Sequence, residues 1–255
     1  MLNGHSIVVQ NQPGASGSIG TLAVRNAAPD GYRLLLARIA SQAILPATDG
    51  KTPYKSNDFT LLSVLEINPY VCAVKSDAPY GSMKDLLGDI RKRPGQLNFA
   101  TVGEGTIQNF GPQYLFSLAG LPKDAAVGIP YKGSGELTAS LVGGHVQFVC
   151  SNLGALLAQF RAGTLRPLMT TTRESLKELP DVPTARSLGW PEMESLAAWS
   201  ALAGPPQLPR EVVQRWSDAL AKLARDPGWL AGNEKLGGIP AMRSSAETDR
   251  FVREQ

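Results

Sequence analysis

Gly14, Gly17 and Gly20 stand in a G-x-x-G-x-x-G spacing within "NQPGASGSIG", Asn11 to Gly20, directly after the apolar run "SIVVQ". A glycine turn between a strand and a helix can cradle a dinucleotide, and this one superficially matches the turn of short-chain dehydrogenases. The supporting chemistry is missing from the sequence: there is no Tyr-x-x-x-Lys pair, and the next strand-like run, "RLLLA", leads to Arg38 rather than to an acidic residue that would bind a ribose hydroxyl. Nucleophilic catalysis is equally hard to assemble. G-x-S-x-G is absent, and the two histidines are His5, near the start, and His145, in a "GGH" turn where a structural role is expected. No His, Cys or carboxylate group has metal-ligand spacing, so neither a cofactor nor a metal is expected.

What recurs instead is a loop of Gly, Ser and Thr at the end of a strand-like run and the start of a helix-like one. Such loops present unpaired backbone N–H groups at the positive end of a helix, which suits an anion without any catalytic side chain. The strongest example is "TVGEGT", Thr101 to Thr106, with two hydroxyls flanking Gly103 and Gly105. Any one of these loops, taken alone, also fits a plain tight turn between strand and helix.

The elements that must position these loops read as strand, small-residue loop, helix, repeated. "SIVVQ" leads to a helix over about Ile19 to Asn26, and "RLLLA" reads as a buried parallel strand. Leu61 to Val74 is a long extended segment interrupted at Asn68 and Pro69. Ser82 and Asp85 have capping-box spacing before Met83, Leu86, Leu87 and Ile90, one buried helix face. Further on, Ile107, Phe110, Tyr114, Leu115 and Leu118 share a helix face, and Val212, Val213, Trp216, Leu220 and Leu223 share another. Alternation of this kind predicts an α/β protein with parallel sheets covered on both sides.

At 255 residues, 43% hydrophobic, the chain can bury a substantial core in one large domain or two lobes. The net charge of +3 is scattered, and "RKRP" at Arg91 to Pro94 reads as a solvated helix end rather than a nucleic-acid patch. Cys72 and Cys150 lie in apolar runs without framework spacing and are expected to be buried, inert thiols. No apolar run is long enough for a membrane span, and no signal region follows Met1.

In order along nearly the whole chain, "VVQNQPGASGSIGTLAVRNAAPDGYRLLLA", "LNFATVGEGT", "IPYKGSGELTASLVGGHVQF", "SNLGALLAQFRAGTLRPLMTTT", "ELPDVPTARSLG" and "DPGWLAGNEKLGGIP" resemble the Bug, or tripartite tricarboxylate transporter (TctC-like) receptor, family of extracytoplasmic solute-binding proteins. The resemblance implies a two-lobed type II periplasmic-binding-protein fold, the Venus flytrap, with lobe one from residues 1–74 plus 200–255 and lobe two from 75–199. It implies a monomeric periplasmic receptor that performs no chemistry. Such a receptor captures a small organic carboxylate in an interlobe cleft and delivers it to the transporter's membrane components, without nucleic acid. The candidate ligand-binding residues, read from this resemblance together with the chain's departures from it, are Gly14, Ala15, Arg38, Ser41, Thr101, Gly103, Gly105, Thr106, Ser151 and Asn152.

The chain departs from the family pattern in ways that bear on the ligand. Ser151 stands where the family has Asp in an Asp-Asn pair completed by Asn152, which disfavours recognition of a ligand amino group. Gln12 stands in place of the usual Arg, and Arg38 follows a strand where a small residue is usual. Arg38 therefore either faces a second ligand carboxylate or lies on the lobe surface. Glu104 would repel a carboxylate unless it turns outward, and is a candidate specificity feature. Family members also carry a signal peptide and a first strand, loop and helix of roughly 30 residues before the region matched here. Their absence would leave Val8 and Leu35 beside an open gap, so the expectation is a truncated or misassigned frame. Two alternatives follow: an NAD(P)-dependent short-chain-type oxidoreductase using Gly14–Gly20, or a degenerate family member that binds nothing.

Overall fold

The structure, a computed structural model, describes residues 6–254. Helix α1 (Ser18–Arg25) precedes strand β1 (Leu35–Arg38), followed by a π-helical turn at Ala40–Ile44, the short α2 (Leu45–Thr48), β2 (Thr60–Asn68) and β3 (Tyr70–Lys75). Then come α3 (Met83–Lys92), β4 (Asn98–Thr101), α4 (Ile107–Leu118), β5 (Val127–Pro130), α5 (Ser134–Val142), β6 (Phe148–Asn152), α6 (Leu153–Arg161) and β7 (Leu165–Thr170). The chain ends through β8 (Ala198–Gly204), α7 (Arg210–Leu223), α8 (Pro227–Lys235), β9 (Ile239–Pro240) and α9 (Ser245–Arg253).

Two compact units result. The first runs to Ile67, resumes over Trp199–Lys235 and continues from Ile239; the second comprises Asn68–Ala198 and Leu236–Gly238. The boundary thus falls earlier than the Val74 read from the sequence. The reason is that Tyr70–Lys75 is hydrogen-bonded to both β6 and β7, inside the second unit's sheet.

Neither sheet is wholly parallel, contrary to the sequence expectation. In the first unit the order is β1-β8-β2-β9, with β1 antiparallel to β8 and β2 antiparallel to β9. In the second it is β5-β4-β6-β3-β7, where β4 runs parallel to β5 and β6 but β3 runs antiparallel to β6 and β7. Strand direction depends on which distant segment a strand meets, and apolar periodicity does not carry that information. Likewise "SIVVQ" is no strand: Ile7, Val8 and Val9 are 67%, 84% and 81% exposed, and β1 is only half covered, with Leu36 at 53%.

Local signals decide the helices. Ser82 accepts the Asp85 N–H at the start of α3, whose Met83, Leu86, Leu87 and Ile90 are buried as a stripe. Val212, Val213, Trp216, Leu220 and Leu223 of α7 pack with Leu62 and Leu208 in one core cluster of the first unit. On α4 the buried face differs from expectation. Phe110 and Tyr114 stack on each other, with Phe110 38% exposed, while Gln108, Gly111, Pro112, Leu115 and Phe116 turn inward with Ile107. The cysteines also differ: Cys72 and Cys150, directly opposite each other on β3 and β6, form a disulfide. Their separation of 78 residues hid a pairing that sheet register creates.

Candidate functional site

In the second unit, β4 ends at Thr101 and α4 begins after Thr106, and the loop between is held by its own hydroxyls. Thr106 Oγ1 donates to the Gly103 carbonyl at 2.6 Å, and the Gly103 N–H donates to Thr101 Oγ1 at 3.3 Å. Gly103 has φ +123°, a backbone conformation that glycine adopts without a Cβ clash. Because Thr106's hydroxyl is engaged with Gly103, it makes no capping bond to α4. The Asn109 N–H is taken by the Thr106 carbonyl at 3.0 Å, so the N–H groups of Ile107 and Gln108 are the ones left for an external acceptor, at the positive end of the helix dipole. Gly105 sits within this loop, and Glu104 is exposed, with its carbonyl accepting from Asn109 Nδ2 at 3.2 Å.

Beside α4, β6 delivers Ser151 and Asn152 to the start of α6. Ser151 is fully buried, and Gln108 Nε2 donates to its Oγ at 3.4 Å. Asn152 occupies the N-cap of α6 without a side-chain capping bond, and its buried Oδ1 has no hydrogen-bond partner. The Leu153 N–H that follows is satisfied by the Pro69 carbonyl at 2.8 Å. Thr101, Gly103, Gly105, Thr106, Ser151 and Asn152 are thus gathered around two helix starts. Gln108, which sequence reasoning missed, joins them. The sequence carries no distinct signal for it, because Asn109 beside it is also polar and only the folded helix shows which of the two turns inward.

Tyr70, on the strand beside β6, was also missed. It is fully buried, its Oη donates to the Ile107 carbonyl at 2.8 Å, and burial pushes its phenol well above the ordinary tyrosine range, so it is a neutral donor.

The remaining assigned residues form a separate group in the first unit. Gly14, Ala15, Ser16 and Gly17 all have positive φ (123°, 45°, 53° and 91°), a left-handed turn in which Ala15 and Ser16 carry backbone strain. The turn lies on Ser41, which would be 3.5 Å from a Cβ at Gly17, and Ser41 Oγ donates to the Arg38 carbonyl at 3.3 Å. Arg38 is half exposed, with its guanidinium 3.8 Å from the Glu66 carboxylate, which also accepts from Ser200 Oγ at 2.8 Å. Its charge is therefore partly compensated by Glu66 across the sheet.

His145 is exposed in its turn, and His5 lies outside the described residues. Among the described residues no group of three or more His, Cys, Asp or Glu could hold a metal, and no helix is long and apolar enough to cross a membrane. The dinucleotide alternative fails on topology. With no strand among the described residues before Gly14, and with β1 antiparallel to β8, the Gly14–Gly20 stretch is not, as described, the turn of a parallel strand–helix–strand unit.

Backbone donors, hydroxyls and amides at two helix starts are groups whose chemistry suits a small anion, and they stand on a two-sheet α/β scaffold. That scaffold is the periplasmic-binding-protein fold. A solved periplasmic transporter protein superposes with a TM-score of 0.90 at 28% identity, covering 97% of this chain and 82% of that one. An R. palustris protein solved with adipate gives 0.89 at 26% identity, covering 98% and 82%. Among curated relatives, the Agrobacterium vitis UPF0065 protein of the TAR-I ttuE-ttuC' intergenic region is 30% identical over 244 residues, 95% of this chain and 69% of its own length. The family model of the tripartite tricarboxylate transporter family receptors (TctC) matches residues 2–255, and the chain belongs to that family. It is a solute-binding receptor by descent.

Proposed function

We propose that this chain works in the periplasm, binds a small organic dicarboxylate, and delivers it to the membrane components of a tripartite tricarboxylate transporter. The observation that carries the reading is the pair of helix starts without side-chain caps, α4 and α6, flanking the buried Gln108–Ser151 pair. One carboxylate accepts from the Ile107 and Gln108 N–H groups at the start of α4, in a loop that the Thr101 and Thr106 hydroxyls shape by donating to the Gly103 carbonyl, and Gln108, Ser151 and Asn152 read the atoms next to it. Adipate in the R. palustris relative supports a dicarboxylate. The Cys72–Cys150 disulfide supports an oxidising, extracytoplasmic compartment.

The test is a thermal-shift screen of the purified chain against adipate, succinate, L-malate, citrate, nicotinate, NAD and NADP. A ligand that binds only the folded state raises the melting temperature, by roughly 2.7 kcal/mol of added stability at a hundredfold excess over Kd. A dose-dependent rise with a carboxylate is expected. A rise with NAD or NADP alone, or with none of these compounds, overturns the proposal.

A further inference from the structure

The geometry points to Tyr70 as a positioning residue for ligand capture: its hydroxyl holds the first turn of α4 where that turn's N–H groups meet the carboxylate. The inference rests on the receptor reading above and names a residue which that reading does not use.

The first turn of α4 is poorly held by the helix itself. Pro112, inside the helix, has no N–H to give the Gln108 carbonyl, so one bond that would tie the first turn to the second is missing. Tyr70 supplies an external tie to the adjacent carbonyl, Ile107, at 2.8 Å. The approach is shaped for it, because a Cβ at Gly111 would overlap the Tyr70 hydroxyl and ring edge, and glycine leaves that space open. Tyr70 is also paired with Asn152 in the β3–β6 register, and two residues further on the Cys72–Cys150 disulfide joins the same strands. One buried residue thus backs both arms of the site: α4 through its hydroxyl, and the end of β6 through its backbone.

The experiment compares wild type with Tyr70→Phe, which keeps the ring and deletes only the hydroxyl, and with Gly111→Ala, which pushes the ring away. Calorimetric titration uses adipate, or whichever acid of the screen stabilises wild type most. In Tyr70→Phe, Kd is expected to rise roughly 3- to 10-fold, the span of one lost hydrogen bond. Amide exchange in the ligand-free protein is expected to speed up at Asn109 and Phe110, both bonded to the Thr106 carbonyl, and to stay unchanged at Leu115 to Leu118. Gly111→Ala should weaken binding in the same direction. An unchanged Kd in Tyr70→Phe, or faster exchange along the whole helix, overturns the positioning role and leaves the receptor reading intact. Wild type that binds none of the acids sinks the receptor reading, and this inference with it.

Discussion

At the scale of single residues, the site is distinguished by what Ser151 is not. It is fully buried beside Gln108, so a carboxylate in its place would have neither water nor a cationic partner among the neighbours described. Burial raises an aspartate's pKa and, while it stays ionised, the charge repels an anionic ligand. Ser151→Asp is therefore expected to weaken adipate binding at least about tenfold at pH 8, with part of the loss recovered near pH 5 as the new carboxyl protonates. Aspartate should gain relative to adipate, because its ammonium group can meet the new charge. Titrations of both ligands at the two pH values check this; equal affinity for adipate in variant and wild type would mean that Ser151 does not face the ligand. That Thr101 to Thr106 and Ser151–Asn152 stand at the starts of helices was legible in the sequence. Hydroxyls and glycines clustered at strand ends mark turns into helices, because those residue types free backbone donors there. Tyr70, in an apolar run, and Gln108, next to another polar side chain, were not legible, since each acquires meaning only from the strand or helix it is folded against.

At the scale of elements, sequence reading succeeded where the determinants are local and failed where they are distant. The Ser82 cap and the Met83–Ile90 stripe of α3 lie within a few turns of one another, and they fold as read. The outward turn of Phe110 on α4 could not be foreseen, because Tyr70 of a different strand lies against Gly111 and turns the small face of the helix inward. α3 also carries a testable network. Asp89 accepts from Arg93 Nε at 2.8 Å and from Tyr80 Oη at 2.6 Å, tying the segment before the helix onto it. Hydrogen bonding from Arg93 above all, and then from Tyr80, lowers the Asp89 carboxyl to about 2. A carboxylate depressed in the folded state stabilises the fold above its unfolded pKa of about 3.9, and that contribution fades as pH falls toward 2. Asp89→Asn is expected to lower the melting temperature by about 1–3 °C at pH 7, as suits a partly exposed network. The gap between variant and wild type should close between pH 4 and pH 2. Melting curves across that range check the sign, and a gap that widens on acidification would contradict it.

At the scale of the whole molecule, the two units are unequally built. Among the described residues, the largest fully buried side chains include Tyr70, Phe99, Phe116, Phe148, Met83 and Leu86 in the second unit, against Trp199 and Leu62 in the first. Phe99, Phe116 and Phe148 also meet as an aromatic cluster, with ring centroids 5.4 to 6.4 Å apart. The first unit, by contrast, leaves Ile7, Val8, Val9 and Leu36 in water. The Cys72–Cys150 disulfide lies wholly in the second unit and spans 78 residues. By the chain-entropy argument, closing a loop of that length removes about 4–5 kcal/mol of freedom from the unfolded state. Urea unfolding of the ligand-free oxidised protein should therefore proceed in two transitions, the first unit melting at the lower concentration. Cys72→Ala with Cys150→Ala should move the upper midpoint down by roughly 1–2 M, given slopes of about 2–3 kcal/mol per molar urea, and leave the lower one in place. Tryptophan fluorescence and circular dichroism separate the two, because all four tryptophans do not share a unit: Trp199, Trp216 and Trp229 belong to the first and Trp190 to the second. Movement of the lower midpoint instead, or of both together, would mean that the cross-link does not act on the second unit alone. The ligand arm of the same titration then has a defined expectation: a carboxylate held at α4 and α6 raises the upper midpoint, since both helices belong to the disulfide-linked unit.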